Sequence, residues 1–278
     1  MPSRTDDADG LEVRVISLRD DSLGLREMST VFPGAQRTAG VDLRGVDVAE
    51  LYRSEMISEV AFDSIMHGRK WHRELPQLGG VGLMQANRLA LARADGPILL
   101  CEDDCKVLEP KRLKSEVRAL LHAHVYDVAV FGARLILGKN DKLRQIDGIP
   151  GWYEISGGEG CQFVHMHCCM YSRTGRAKVW RLFDRAQTSQ IDFLLSAHAE
   201  AGELRLALQL ENPSVVQNYH QSSVQQDRMC LLCDLSPINV RRVTLYTVIA
   251  AVCCALLVLV VCAVRPWEGG RIRNPRPR

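Results

Sequence analysis

The chain has 278 residues, 46% hydrophobic and 24% charged, with a formal net charge of +2. That balance suits one large domain or two small ones and excludes extended disorder and collagen-like repeats. Five Arg against one Glu in Arg265–Arg278 leave the remainder near −2, whereas a phosphate-reading protein concentrates basic charge in its folded domain, so no nucleic-acid partner is expected.

The polar start, MPSRTDDADG, lacks the apolar stretch of a signal peptide and reads as a disordered N-terminus over residues 1–10. Leu11–Leu18 (LEVRVISL) is rich in β-branched residues and predicts a strand. A second candidate strand, GVDLRGVD, lies within Thr38–Asp47. Leu83–Ala94 spaces its apolar residues as one face of a helix, and Asp95-Gly96-Pro97 ends it. Ile98–Cys101 (ILLC) is an apolar run suited to a buried parallel strand. Lys111–His124 then reads as a helix and Asp127–Phe131 (DVAVF) as another buried strand. Strands alternating with helices imply an α/β domain with a mainly parallel central sheet covered on both faces. Gly148–Gly160, rich in glycine with two aromatics, reads as a mobile lid. Residues 11–228 form the domain on this reading, followed by a linker over 229–242.

From Val243 to Val264 run 22 residues without a charge, flanked by Arg241 and Arg242 on one side and Arg265 on the other. A helix of that length spans roughly 33 Å, the thickness of a bilayer core. Residues 243–264 therefore predict a single-pass C-terminal membrane anchor, and residues 265–278 a basic tail. The absence of a signal peptide places the domain in the cytosol, although the positive-inside rule pulls the Arg-rich tail to the same side. Three of the ten cysteines lie in this span, leaving an odd seven, which fits reduced thiols better than a disulfide framework. Cys230-Leu-Leu-Cys233 has zinc spacing, and His165, His167, Cys168 and Cys169 are further candidate ligands, but HMHCCMY reads equally as a buried strand.

The chemistry concentrates where the ILLC strand ends, at Glu102-Asp103-Asp104. Open α/β sheets bind ligands beyond the carboxyl ends of their strands. Three adjacent carboxylates repel one another unless a cation neutralises them. Hard divalent ions such as Mn²⁺ or Mg²⁺ bind one or two carboxylates and complete their shell with water and phosphate oxygens. The pattern therefore points to a metal held against a nucleotide diphosphate, beside the plainer reading of a solvated acidic turn.

The blocks around this cluster resemble the glycosyltransferase family 25 group of lipopolysaccharide and collagen galactosyltransferases. Val15-Ile16-Ser17-Leu18, ahead of Arg19 and Arg26, matches the family's VINL strand and Arg-rich helix. Gly79–Asn87 stands where the family has GEIGCALSH, and Leu99–Asp104 matches its ILEDD strand end. Met170–Gly175, then Ile191-Asp192, then Pro213–Gln217 with Ser222 or Ser223 follow in the family's order, so the resemblance covers roughly residues 11–225. It implies a GT-A-like nucleotide-sugar-binding domain and an inverting, metal-dependent hexosyl transfer, galactose favoured. The donor is a UDP-sugar and the acceptor a glycan, glycolipid or protein hydroxyl. By the same resemblance Asp104 and Asp103 hold Mn²⁺ or Mg²⁺. Glu102, Asp103, Ser17, Arg19 and Gln217 face the nucleotide, and Asp192 is the base that accepts the acceptor's proton. The plainer role for Asp192 is a helix N-cap.

The departures are specific. Gly80 replaces the family's Glu, Ala86-Asn87 its Ser-His, Cys169 an aromatic and Arg176 an Ala. They leave a catalytically degenerate, membrane-tethered binding module as the alternative, with a zinc module built on Cys230, Cys233 and the His165–Cys169 cluster a distant third.

Overall fold

The computed structural model describes residues 10–68, 73–75, 77–123, 126–137, 143–155, 161–218 and 252–256. Two units divide the chain at Arg228. Of the second unit only 252–256 is described, and it is helical. The predicted span over 243–264 otherwise lies outside the described residues, as do the linker, the basic tail and residues 1–9 of the N-terminus. Among the described residues no helix is long and apolar enough to cross a membrane.

The first unit opens with β1 (Glu12–Ser17), α1 (Leu23–Val31), β2 (Gln36–Ala39), α2 (Val48–Arg53), α3 (Glu59–His67) and α4 (Leu78–Arg93). It continues with β3 (Ile98–Glu102), β4 (Cys105–Val107), α5 (Pro110–Ala123), β5 (Val128–Val130), β6 (Arg134–Leu137), β7 (Leu143–Gln145) and β8 (Trp152–Ile155). It closes with β9 (Gln162–Val164), β10 (Cys168–Tyr171), α6 (Arg173–Phe183), α7 (Ile191–Glu200), β11 (Leu206–Gln209) and β12 (Val215–Gln217).

Eight strands form one sheet in the order β2-β1-β3-β10-β5-β11-β8-β7. Only β10 and β8 run against the rest. The expected parallel character holds for β2, β1, β3, β5 and β11. Reversed β10 sits at the centre, where the chain, after pairing β9 with β6 in a separate two-stranded antiparallel sheet, returns to the gap between β3 and β5. Side chains alternate across the sheet. Ile16, Ile98, Leu100, Cys169 and Tyr171 pack under α4, α6 and α7 on one face. Val13, Val15, Leu99, Cys101, Cys168 and Met170 pack under α1 and α5 on the other. A smaller core joins α2 and α3 to Val81 of α4.

Several boundaries differ from expectation for local reasons. The expected GVDLRGVD strand does not form; the second strand is the preceding Gln36–Ala39, and Gly40, its N–H donated to the Ser17 carbonyl at 2.9 Å, opens the turn that GVDLRGVD occupies. Helix α4 begins five residues earlier than its periodicity suggests and runs through Gly79, Gly80 and Gly82. A Cβ on Gly82 would lie 2.3 Å from the Val41 carbonyl, so the bare helix face lets the chain after β2 lie against it. The Gly148–Gly160 stretch is not a lid as far as it is described: Trp152 is fully buried, edge-on to Phe131 at 4.8 Å, inside β8. Its residues 156–160 lie outside the described set.

Candidate functional site

Parallel strands β1 and β3 end side by side, Ile16 opposite Glu102. The next residue of each therefore meets the other: Ser17 Oγ donates to Asp103 Oδ2 at 2.9 Å. The same hydroxyl accepts the Arg19 N–H at 3.0 Å. From the far side Gly24, in the first turn of α1, donates its N–H to the Asp103 carbonyl at 3.2 Å. A Cβ there would stand 2.9 Å from the Glu102 and Asp103 carbonyl oxygens, so glycine is what admits the helix to the turn.

Strand β12 closes the third side by pairing with β4 immediately after the acids. Gln217 Nε2 donates to Asp104 Oδ2 at 2.9 Å, and the Asn218 N–H to the Asp104 carbonyl at 2.7 Å. Below β12, a buried network fixes its start. Ser214 Oγ donates to Glu116 Oε2 at 2.7 Å, Gln209 Nε2 donates to Glu116 Oε1 at 2.8 Å, and Arg112 Nε donates to that same oxygen at 2.8 Å. All its polar atoms on the buried side find partners, as buried polar groups must.

The acids themselves are under electrostatic stress. Burial, reinforced by Asp104, Asp103 and Asp192, pushes the Glu102 carboxyl well above the usual range. Asp104, only 3% exposed, is raised by burial and by Asp103, against the opposing Gln217 hydrogen bond. Among the described residues its Oδ1 has no hydrogen-bond partner. Asp192, in the first turn of α7, is pushed up to about 7 by burial, its hydrogen bond from the Phe193 N–H at 2.9 Å opposing. It is not the N-cap; Gln190 occupies that position and makes no side-chain capping bond. Ile98 and Leu100 of β3 share a core with Ile191 and Leu195 of α7, and alternation puts Glu102 on that same face, where the Asp192 charge adds to the rise in its pKa.

The structure thus gathers Glu102, Asp103, Asp104, Asp192, Ser17 and Gln217. Ser17 and Gln217 spend their polar groups on the acids. Arg19 lies exposed just past β1, its side chain unpaired among the described residues. Sequence reasoning missed Gly24, Asn218, Glu116, Gln209 and Ser214, whose only signals were polar or glycine residues in otherwise apolar surroundings. Among the described residues His167, buried at 1%, has no hydrogen-bond partner at either ring nitrogen, and burial lowers it to about 4. Its carbonyl accepts the Glu102 N–H at 2.8 Å. His165 adopts φ +78 immediately after β9, in the turn that leads to β10. Cys168 and Cys169 face opposite cores, so His165–Cys169 does not act as one ligand cluster. Cys230 and Cys233 lie outside the described residues. Asn87 is buried and donates to the Leu83 carbonyl of its own helix at 2.9 Å.

No protein-family model and no curated protein matches the chain. The solved structures that show a likeness to the chain include the following three. The first is a mannose-1-phosphate geranyltransferase from Thermus thermophilus, at 13% identity and TM-score 0.33, over 74% of this chain and 76% of that one. The second is a UDP-glucose pyrophosphorylase complexed with UDP-glucose, at 9% identity and TM-score 0.39, over 74% and 92%. The third is A197 from STIV, at 10% identity and TM-score 0.33, over 79% and 96%. Likeness at this level is too loose to carry chemistry to this chain.

Proposed function

We propose that the chain is a metal-dependent, inverting glycosyltransferase of the family 25 type. On this reading it has a GT-A-like domain and moves a hexose, galactose favoured, from a UDP-sugar to a glycan, glycolipid or protein hydroxyl. The observation that carries this reading is the acid turn. Glu102, Asp103, Asp104 and Asp192 converge at the carboxyl ends of parallel strands; burial holds the pKa of Glu102 well above, and that of Asp104 above, the usual carboxylate range, and Asp104 Oδ1 has no partner among the described residues. A stable fold keeps such a cluster when a cation offsets it, so the residues fit Mn²⁺ or Mg²⁺.

In this proposal Asp104 and Asp103 hold the ion and Glu102 flanks it on the nucleotide side. When bound, the ion supplies charge stabilisation for a departing diphosphate. Ser17 and Gln217 fix the two aspartates from opposite sides, so their contribution to nucleotide binding is the orientation of those carboxylates. Arg19 is free to meet a phosphate or the base. Asp192, poised near neutral pH, accepts the proton of the acceptor hydroxyl, since a group with a pKa near the working pH balances availability against basicity. The domain is anchored through residues 243–264 and faces the cytosol.

A binding module without turnover is the second reading. It is favoured by Asn87, which stands at the position of the family's imidazole and spends its amide on its own helix. UDP release by the full chain in detergent separates the two. A panel of UDP-sugars is supplied with Mn²⁺ or with EDTA, beside Asp104→Asn. Turnover of one donor that EDTA and Asp104→Asn abolish supports the transferase. Mn²⁺-dependent UDP binding without turnover of any donor, across an acceptor panel, supports the module. Neither binding nor turnover refutes both.

A further inference from the structure

Beneath the acid turn, on the opposite face of the sheet, three cysteines from three strands meet. Cys101 lies on β3, Cys168 opposite it on β10, and Cys105 on β4 just past Asp104. Their exposures are 1%, 0% and 0%. The Cys101 and Cys168 sulfurs are 3.2 Å apart, and all three sulfurs lie within 4.8 Å of one another. The backbone dictates the approach. Glu102 donates its N–H to the His167 carbonyl, so Glu102 and His167 are the hydrogen-bonded pair of this antiparallel ladder. Cys101 and Cys168 are then the adjacent non-hydrogen-bonded pair, the kind whose side chains come closest. The turn at Asp103-Asp104 brings β4 back with the third sulfur.

We propose that Cys101, Cys105 and Cys168 form a buried three-sulfur site for a soft d¹⁰ metal ion, Cu(I) or Zn(II), separate from the oxygen-lined acid cluster. Thiolate sulfur selects these ions over Mn²⁺ and Mg²⁺. Among the described residues no fourth His, Cys or carboxylate joins the trio. Three ligands suit Cu(I) better than Zn(II), whose structural sites take four. A disulfide would use two of the sulfurs and leave the third without a role. Binding transfers no electrons: each sulfur that ligates releases its proton to solvent and places its lone pair on the metal. The core the cysteines belong to, with Val15, Met28, Leu99, Phe131 and Met170, is apolar and would shield the bound ion from exchange.

The test uses the full chain, purified anaerobically from cells supplied with copper or with zinc, its metal content measured by mass spectrometry. Cu(I) is also titrated against bathocuproine and Zn(II) against a chromophoric chelator. The expected result is one ion per chain, with X-ray absorption showing sulfur neighbours alone, and affinity on the order of 100-fold weaker in Cys168→Ser and Cys105→Ser. The Cys253→Ser/Cys254→Ser double variant should bind as the wild type does. The absorption spectrum of the wild type stands even if a core variant fails to fold. A wild-type chain free of metal in both arms overturns the proposal. So does a nitrogen or oxygen shell, equal uptake by folded Cys168→Ser, or a Cys101–Cys168 disulfide in a chain that takes up no metal after reduction.

Discussion

Replacing Asp192 with Asn removes a titrating carboxyl while keeping the size of the side chain and an oxygen for the Phe193 N–H. In the folded chain, without metal, Asp192 holds its proton up to about 7, against 3.8 for an ordinary aspartate. Between those values the native state binds a proton that the unfolded chain has released, so stability falls as pH rises. The destabilisation is absent below 3.8 and complete above about 7. From pH 5 to pH 8 the span still to be lost is worth about 2 kcal/mol, allowing for solvent at a carboxyl that is not fully enclosed. Asp192→Asn should therefore gain about 2 kcal/mol on the wild type between those pH values, a relative shift of roughly 1 M in urea midpoint. The assay is urea unfolding of the full chain in EDTA, followed by intrinsic fluorescence at both pH values. Glu102 titrates in both proteins, and losing the Asp192 charge eases its ionisation, which adds to the effect in the same direction. Parallel stability curves for the two proteins would refute the claim that Asp192 is buried against this cluster.

Mn²⁺ binding, read by calorimetry, should tighten from pH 5.5 to 8, because Glu102 and Asp104 must give up protons that burial helps them keep; an affinity flat with pH counts against the acid turn as the site. Gln217→Ala should weaken Mn²⁺ binding about tenfold, since Asp104 loses its orienting donor, while thermal unfolding of the metal-free chain changes little. Ser214→Ala should cost about 1–3 kcal/mol in urea unfolding by leaving Glu116 and Gln209 short of a partner. Gly175→Ala should cost about 3 kcal/mol or more, because its Cβ would fall 1.9 Å from the Asp127 carbonyl and force α6 off the end of β5; a near-neutral result would mean that contact is misplaced.

What could be read from sequence was local. ILLC followed by three acids reads as a buried strand ending in an acidic turn, and β3 ends there, although Asp104 is buried and not solvated. The register between strands is a long-range property, so the meeting of Ser17 with Asp103, 86 residues apart, had no local signature. Strands β4 and β12 are three residues each, too short to show a period, yet they bring Gln217 to Asp104; the family resemblance alone marked that glutamine. Glycine content misled at Trp152, where turns at Gly148 and Gly151, both at positive φ, frame a short buried strand. The cysteines misled in the other direction. Spacing draws the eye to Cys230 and Cys233, close in sequence, whereas the described cluster is assembled from positions 101, 105 and 168 by sheet pairing.

The N–H of Asn218 closes the acid turn, and Gln217 beside it holds the Asp104 carboxylate. Strand β12, which carries that glutamine, pairs among the described residues with β4 alone and stands outside the large sheet. Strain applied at Gln217 or Asn218 is therefore borne first by their bonds to Asp104. A protease cut or an insertion there would disturb the candidate site although it lies far from Asp103 in sequence. An added sequence is better placed ahead of β1, where the strand enters the sheet at the opposite end from Ser17.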